Sequence, residues 1–287
     1  MRIRSIPRES VLHAKRAIHW QSNGAPFLSG DLFADNADVS VYQPKFRGWP
    51  KSRSQVEQAQ VLFCPSHHLE ELLEEYKGSI NAKVLILGNS DRDFQNFDWK
   101  LPKNIRRVFL QNAFFANKMF RPIPIGIENL RLATNGMRSL FDSKYTARSK
   151  KDEILIGPFG KNHQERDFVD DISNEMTGYW EVTSTRLRPR QYAELSSRYR
   201  FIASPRGNGM DTHRFWETLY RGSFPIIKQS LWSTALSMHQ IPMIEIADWS
   251  QDALRQVIKN NRERKLNPIS VPALWWPYWE SEIRDAL

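Results

Sequence analysis

Short apolar runs, each closed by turn residues and many followed by a helical stretch, recur along this chain from residue 61 onward. That alternation constrains the fold more than any other feature. Val61–Cys64 is a strand ended by Pro65, and His67–Tyr76 is a helix with Leu69, Leu72 and Leu73 on one face and Glu on the other. Val84–Leu87 is a strand stopped by Gly88-Asn89, Val108–Leu110 is another, and Arg121–Gly126 is a Pro-stiffened extended stretch. Arg131–Asp152 is polar and breaks the pattern, which then restarts. Strands are expected at Ile154–Ile156, Trp180–Thr183, Arg200–Ala203, Phe224–Ile227 and Met243–Ile246. Helices are expected at Asn162–Met176, Pro189–Tyr199, Asp211–Tyr220 and Asp252–Lys259.

A helix between successive strands is the signature of parallel sheets. Two such series joined by a polar bridge predict an α/β protein of two Rossmann-like lobes whose parallel sheets face a central cleft. The expected division is residues 1–135, residues 150–265, and a Trp- and Pro-rich tail, 266–287, that packs back on the first lobe. Residues 1–58 are hard to read beyond a short helix at Ser10–Trp20. In open sheets of this kind ligands bind beyond the carboxyl ends of the strands, so the strand-to-helix loops are where function is sought.

Composition narrows the class. With 40% hydrophobic and 25% charged residues, the 287-residue chain has material for a real core and is not broadly disordered. The net charge of +9 suits anionic partners: polyanions, phosphorylated small molecules or anionic membrane surfaces. The densest basic runs are Arg2–Arg8, Arg186–Arg200 and Lys259–Lys265. The single cysteine, Cys64, forms no intrachain disulfide and reads as a small core residue. No apolar region follows the basic N-terminus and no run approaches a membrane span, so a cytoplasmic protein, soluble or peripheral, is expected.

The chemistry concentrates in Arg200-Phe-Ile-Ala-Ser-Pro-Arg-Gly-Asn-Gly-Met-Asp-Thr-His-Arg-Phe-Trp-Glu217, a strand, a glycine-rich loop and a helix. Gly207, Asn208 and Gly209 tolerate positive φ and can expose backbone N–H groups. Asp211 or Thr212 is the expected N-cap. A helix N-terminus with free donors suits a diphosphate, and Arg206 and Arg214 add full charges and bidentate donors. His213 and Glu217 fall on one helix face, where a carboxylate can accept hydrogen bonds from ribose hydroxyls.

This stretch, with Leu219-Tyr-Arg-Gly-Ser-Phe-Pro-Ile226 after it, resembles the donor-binding signature of exostosin-like glycosyltransferases. Those proteins carry a Pro-Arg-Gly loop, an Arg and a Glu on the next helix, and Gly-x-x-Pro leading into a strand. The resemblance is weaker over Ile154–Arg166 and looser still at Asn89-Ser-Asp91 and Pro124-Ile-Gly126. It implies a GT-B architecture, a UDP-sugar donor in the C-terminal lobe, a glycan acceptor, and inversion at the anomeric carbon. Xylose, galactose, glucuronic acid and N-acetylglucosamine are within the family's range. On this resemblance Arg206 and Arg214 hold the diphosphate and Glu217 the ribose, with Lys161, His163 and Arg166 as further candidates. The chain is compact beside animal exostosins, so acceptor preference does not carry over.

Inverting transfer needs a general base and positive charge at the leaving diphosphate. Asp31, in Leu28-Ser-Gly-Asp31, and Asp91, after the strand at 84–87, are the leading candidates for the base. His67 and Glu128 come after them. Asp91-Arg-Asp93 also matches the Asp-x-Asp with which GT-A glycosyltransferases hold a divalent cation, a rival reading. Because the basic loop at 206–214 can neutralise phosphate unaided, no divalent metal is expected to be required, and no Cys/His set has zinc spacing. A nucleic-acid-binding protein, or a non-catalytic carbohydrate-binding protein using Trp275-Trp276-Pro-Tyr278-Trp279 as a stacking platform, are the non-enzymatic alternatives.

Overall fold

The structure, a computed structural model, describes residues 27–41, 53–132, 134–146, 149–160, 162–174, 180–183 and 186–287. The helix expected at Ser10–Trp20 and the candidate Lys161 lie outside them.

The first series of elements is α1 (Gly30–Asp35), β1 (Val39–Ser40), α2 (Arg53–Gln58), β2 (Val61–Pro65), α3 (Leu69–Glu75), β3 (Val84–Gly88), β4 (Arg107–Leu110) and β5 (Phe120–Pro122). Its five strands form one all-parallel sheet in the sequential order β1-β2-β3-β4-β5. Strands added always in one direction by crossovers of one hand put their connections on one face. Leu62, Cys64, Leu85, Leu87, Val108 and Leu110 meet that layer, packing with Val56 of α2 and Leu69 and Leu72 of α3. Val61, Phe63, Val84, Ile86 and Phe109 point the other way, onto Leu32 and Phe33 of α1 and onto residues of the C-terminal tail.

The second series is α4 (Ser143–Thr146), β6 (Lys151–Ile156), α5 (Gln164–Asn174), β7 (Trp180–Val182), α6 (Pro189–Ser196), β8 (Tyr199–Ala203), α7 (His213–Tyr220), β9 (Phe224–Lys228), α8 (Leu231–Leu236), β10 (Ile244–Ile246) and α9 (Gln251–Asn261). Its sheet is also five-stranded and parallel, in the order β10-β9-β8-β6-β7. The winding reverses between β6 and β8, so helices cover both faces. Ile154, Ile156, Phe201 and Ala203 pack with Val169 of α5 and Leu254, Val257 and Ile258 of α9. Leu155 and Ile202 pack with Tyr192 and Leu195 of α6. The two parallel sheets agree with two Rossmann-like units, although only the second has the reversal that creates a switch point.

The polar segment 131–152 is less open than its composition predicts. It carries α4 and short 3₁₀ turns, and Leu140, Phe141 and Tyr145 are buried in the core cluster that also holds α7. The tail ends in α10 (Trp276–Arg284). Trp279 is wholly buried, and Trp276 and Trp279 meet Phe33 edge-on at 5.5 and 5.9 Å. Arg107 donates to the carbonyl of Glu282 at 3.0 Å. These two tryptophans are therefore core residues of the first sheet's second face and do not form an exposed platform. Among the described residues no helix is long and apolar enough to cross a membrane.

Candidate functional site

At the switch point the loops after β6 and β8 lie side by side, the place where open parallel sheets hold ligands. Gly157, with φ of 77°, turns the first loop. A cavity of about 440 Å³ opens here, lined by Pro158 and Asn162 after β6, Gly207 to Gly209 and Asp211 to His213 after β8, Arg166 of α5, and Arg214 and Glu217 of α7. Arg186, Leu187, Pro189 and Tyr192 form a further wall, and Asp91, Ile125 and Asn135 reach it from the first half of the chain. The volume lies in the range of small-molecule sites, roughly 300–1,000 Å³.

Helix α7 owes its orientation to amphipathicity. Phe215, Trp216, Leu219 and Tyr220 are buried, and Tyr220 donates from its hydroxyl to the carbonyl of Leu274 at 2.7 Å. With that face fixed in the core, His213, Arg214 and Glu217 turn to the cavity. Arg214 donates to the carbonyls of Gly157 at 3.0 Å and Pro158 at 2.5 Å, and stacks over Phe159 and Tyr192 at 4.7 and 5.0 Å. No carboxylate among the described residues pairs with it, so its charge is available to an anion. Arg166 donates to Asn162 at 2.7 Å and to the carbonyl of Arg206 at 2.9 Å, tying α5 to the glycine loop. Glu217 is buried and accepts from Arg221 at 3.4 Å. Its Oε1 has no partner among the described residues.

Thr212 occupies the N-cap position of α7, yet its side chain caps nothing. It is 8% exposed and its Oγ1 has no hydrogen-bond partner among the described residues. A buried hydroxyl left unpaired costs about 1–3 kcal/mol, which marks a place where a ligand or solvent partner belongs.

Asp211 is not the cap. It is buried, accepting from the backbone N–H of Ile125 at 2.6 Å and from the indole of Trp216 at 2.6 Å, while its own N–H donates to Asn112 at 2.7 Å. Burial pushes its carboxyl up to about 7, against the opposing effect of those donors. His213 shares the same junction, with Nδ1 2.8 Å from the carbonyl oxygen of Gly126.

Arg206 does not line the cavity. It bonds Asp93 at 2.9 Å and the carbonyl of Asn208 at 3.1 Å. Asn208 in turn donates to Asp91 at 3.2 Å, and the N–H of Met210 to Asp93 at 3.3 Å. Asp91 and Asp93 thus reach separate partners on the glycine loop. Among the described residues no group of three or more His, Cys, Asp or Glu is spaced for a metal ion.

The glycines serve close approach, since neither Gly207 nor Gly209 is among the described residues with positive φ. A Cβ on Gly209 would lie 2.8 Å from the amide of Asn112, and one on Gly207 2.8 Å from the guanidinium of Arg166.

Three of the candidate bases, Asp31, His67 and Glu128, are not among the residues that line the cavity. Asp31 is buried in the first turn of α1 and paired with Arg131 at 3.1 Å, with Asn89 donating to it at 3.2 Å. It does not line the cavity at the β6/β8 switch point. His67 lies beyond β2 with its ring 4.2 Å from that of His68, and burial then the neighbouring histidine lower its pKa. Glu128 accepts from Thr134 and from the N–H of Asn135, closing a local loop. His163 holds the N–H of Glu165 at 3.1 Å at the start of α5. Of the candidate bases, Asp91 reaches the cavity.

The sequence reading missed Asn112, Arg186 and Tyr192, and missed Asp211 as a contact between the two halves. The one local signal was the polar pair Gln111-Asn112 after the apolar run of β4, where Asn112 has φ of 55°. No family model matches the chain, and no curated protein matches it in sequence.

Proposed function

We propose that the protein is an inverting glycosyltransferase of GT-B type that moves a sugar from a UDP-sugar to a hydroxyl of a glycan. The observation that carries this reading is the cavity at the β6/β8 switch point, with Arg214, which no carboxylate among the described residues pairs, the Thr212 hydroxyl, which has no partner among them, and the first turn of α7 around it. Free donors and positive charge at a helix N-terminus favour a diphosphate, and they also stabilise it as a leaving group. Glu217, whose Oε1 has no partner among the described residues, is suited to ribose hydroxyls. Pro158, Leu187, Pro189 and Tyr192 give the same cavity an apolar part, as a base-bearing ligand requires. Arg166 and Arg214 neutralise phosphate without a metal. Asp91 and His213 are the cavity's candidate proton acceptors on the acceptor side.

The test is release of UDP from a panel of UDP-sugars, with EDTA and with Mn²⁺, for the wild type, Arg214→Ala and Glu217→Ala. Turnover that survives EDTA and falls at least tenfold in both variants supports the reading. Turnover only with Mn²⁺ moves the site to Asp91 and Asp93, and no turnover with any UDP-sugar overturns it.

A further inference from the structure

The junction of His213 and Gly126 assigns one atom a role that the donor site alone leaves open. The Gly126 carbonyl oxygen can only accept, so Nδ1 of His213 carries the hydrogen in the 2.8 Å contact. A neutral imidazole with hydrogen on Nδ1 has a lone pair on Nε2. His213 lines the cavity, and Nε2 has no partner among the described residues.

The carbonyl that fixes this tautomer is itself rigid. Gly126 has φ of 67°, where side chains are disfavoured, and a Cβ there would lie 2.1 Å from the Leu28 carbonyl oxygen. It also bridges Ser29. The ring is thus oriented by the opposite half of the molecule, as a carboxylate or carbonyl orients the base in other proton-transfer sites. Asp91 is exposed and already accepts from Asn208 at 3.2 Å.

We propose that His213 is the general base of the transfer, an inference that rests on the glycosyltransferase reading above. The proton of the acceptor hydroxyl passes to Nε2 while its oxygen forms a bond to the anomeric carbon. The bond from that carbon to the β-phosphate oxygen breaks, and its electron pair leaves on UDP. The imidazolium then returns the proton to solvent. Gly126 is a positioning residue, acting through the tautomer.

The charged groups that share the cavity are Asp91, Arg166, Arg186, Asp211, Arg214 and Glu217. Asp211 titrates in the same range as an imidazole, at about 7, so the experiment must separate the two. It compares the pH dependence of kcat/KM, and UDP affinity by calorimetry, for the wild type, His213→Asn and Asp211→Asn. Nitrogen NMR of the wild-type histidines reads the tautomer. The asparagine amide can still donate to Gly126. The expected result is a fall in kcat of ~10²–10⁴ in His213→Asn, with UDP affinity kept and the acid limb of the profile gone, and a wild-type ring protonated on Nδ1. Turnover within tenfold of wild type, an acid limb that survives His213→Asn and vanishes in Asp211→Asn, or a ring protonated on Nε2 overturns the assignment and leaves the donor site standing. Wild-type protein that binds no UDP overturns both.

Discussion

Asp93 and Arg206 form a 2.9 Å ion pair that joins the loop after β3 to the glycine loop after β8. The two side chains are 23% and 22% exposed, so the pair is largely screened from solvent. Arg206 therefore holds the loop in place and does not itself face the cavity. Single substitutions Arg206→Ala and Asp93→Ala should each destabilise the protein, and the double variant should lose less than their sum. The coupling expected from urea unfolding is about 0.5–3 kcal/mol. Additive losses would mean that the pair is incidental to loop position.

Gly207 and Gly209 should differ in what an added methyl disturbs. At Gly209 the methyl would press on Asn112, whose Oδ1 holds the N–H of Asp211, so Gly209→Ala should cost about 1–3 kcal/mol of stability. At Gly207 it would meet the guanidinium end of Arg166. That side chain can shift, so Gly207→Ala should lower UDP affinity more than stability. Thermal unfolding and calorimetry on the two variants check this, and identical behaviour would contradict it.

His239 sets an acid limit on stability. It accepts from the Tyr278 hydroxyl at 2.8 Å and donates to the carbonyl of Pro122 at 3.0 Å, linking β5 to the tail. Burial, then the charge of Arg121, lowers its pKa from 6.5 to about 4. The native state thus favours the neutral ring. The stability this contributes is present above about pH 6.5 and is lost as pH falls towards about 4, on the order of 3 kcal/mol at most. Asp211, whose raised carboxyl gains stability as pH falls below about 7, works in the opposite direction. The His239 loss is therefore read as the difference between urea unfolding of the wild type and of His239→Gln from pH 7.5 to 4, with the variant the less destabilised by acid. An equal acid slope in the variant would remove His239 as the cause.

The parts of the fold that were legible in the sequence are those encoded locally. β2 and β3 are buried runs without a charged residue, and β6 is one over Ile154–Ile156, because parallel strands are buried on both faces; these runs are legible in the sequence. α1 was missed: six residues are too few to display a period, and it depends on Ser29, whose hydroxyl accepts from the Leu32 N–H at 3.2 Å. β1 is two residues long and was missed for the same reason. Within the candidate site, Arg214 and Glu217 were legible because a helix spaces them on one face. Their setting was not, since Asn112, Ile125 and Gly126 meet Asp211 and His213 across 86 to 99 residues of sequence. Arg206 points to a phosphate in the sequence by its charge, its place in the glycine-rich loop and the Pro-Arg-Gly resemblance. Its partner, Asp93, lies 113 residues away, and a glycine-rich loop reads the same whether its arginine faces a phosphate or a carboxylate.

The most direct test uses the buried hydroxyl of Thr212. Valine has nearly the same shape and removes the unpaired polar atom, so Thr212→Val should leave stability unchanged or raised. If that hydroxyl serves the diphosphate, the same change should weaken UDP binding by roughly tenfold to a hundredfold, the value of one hydrogen bond to a charged group. Calorimetric titration with UDP in the presence of EDTA, on the wild type and on Thr212→Val, reads both. Wild-type binding that is clearly weaker in a variant of equal or higher melting temperature is the predicted result. No UDP binding by the wild type, or equal affinity in the two proteins, would contradict the account.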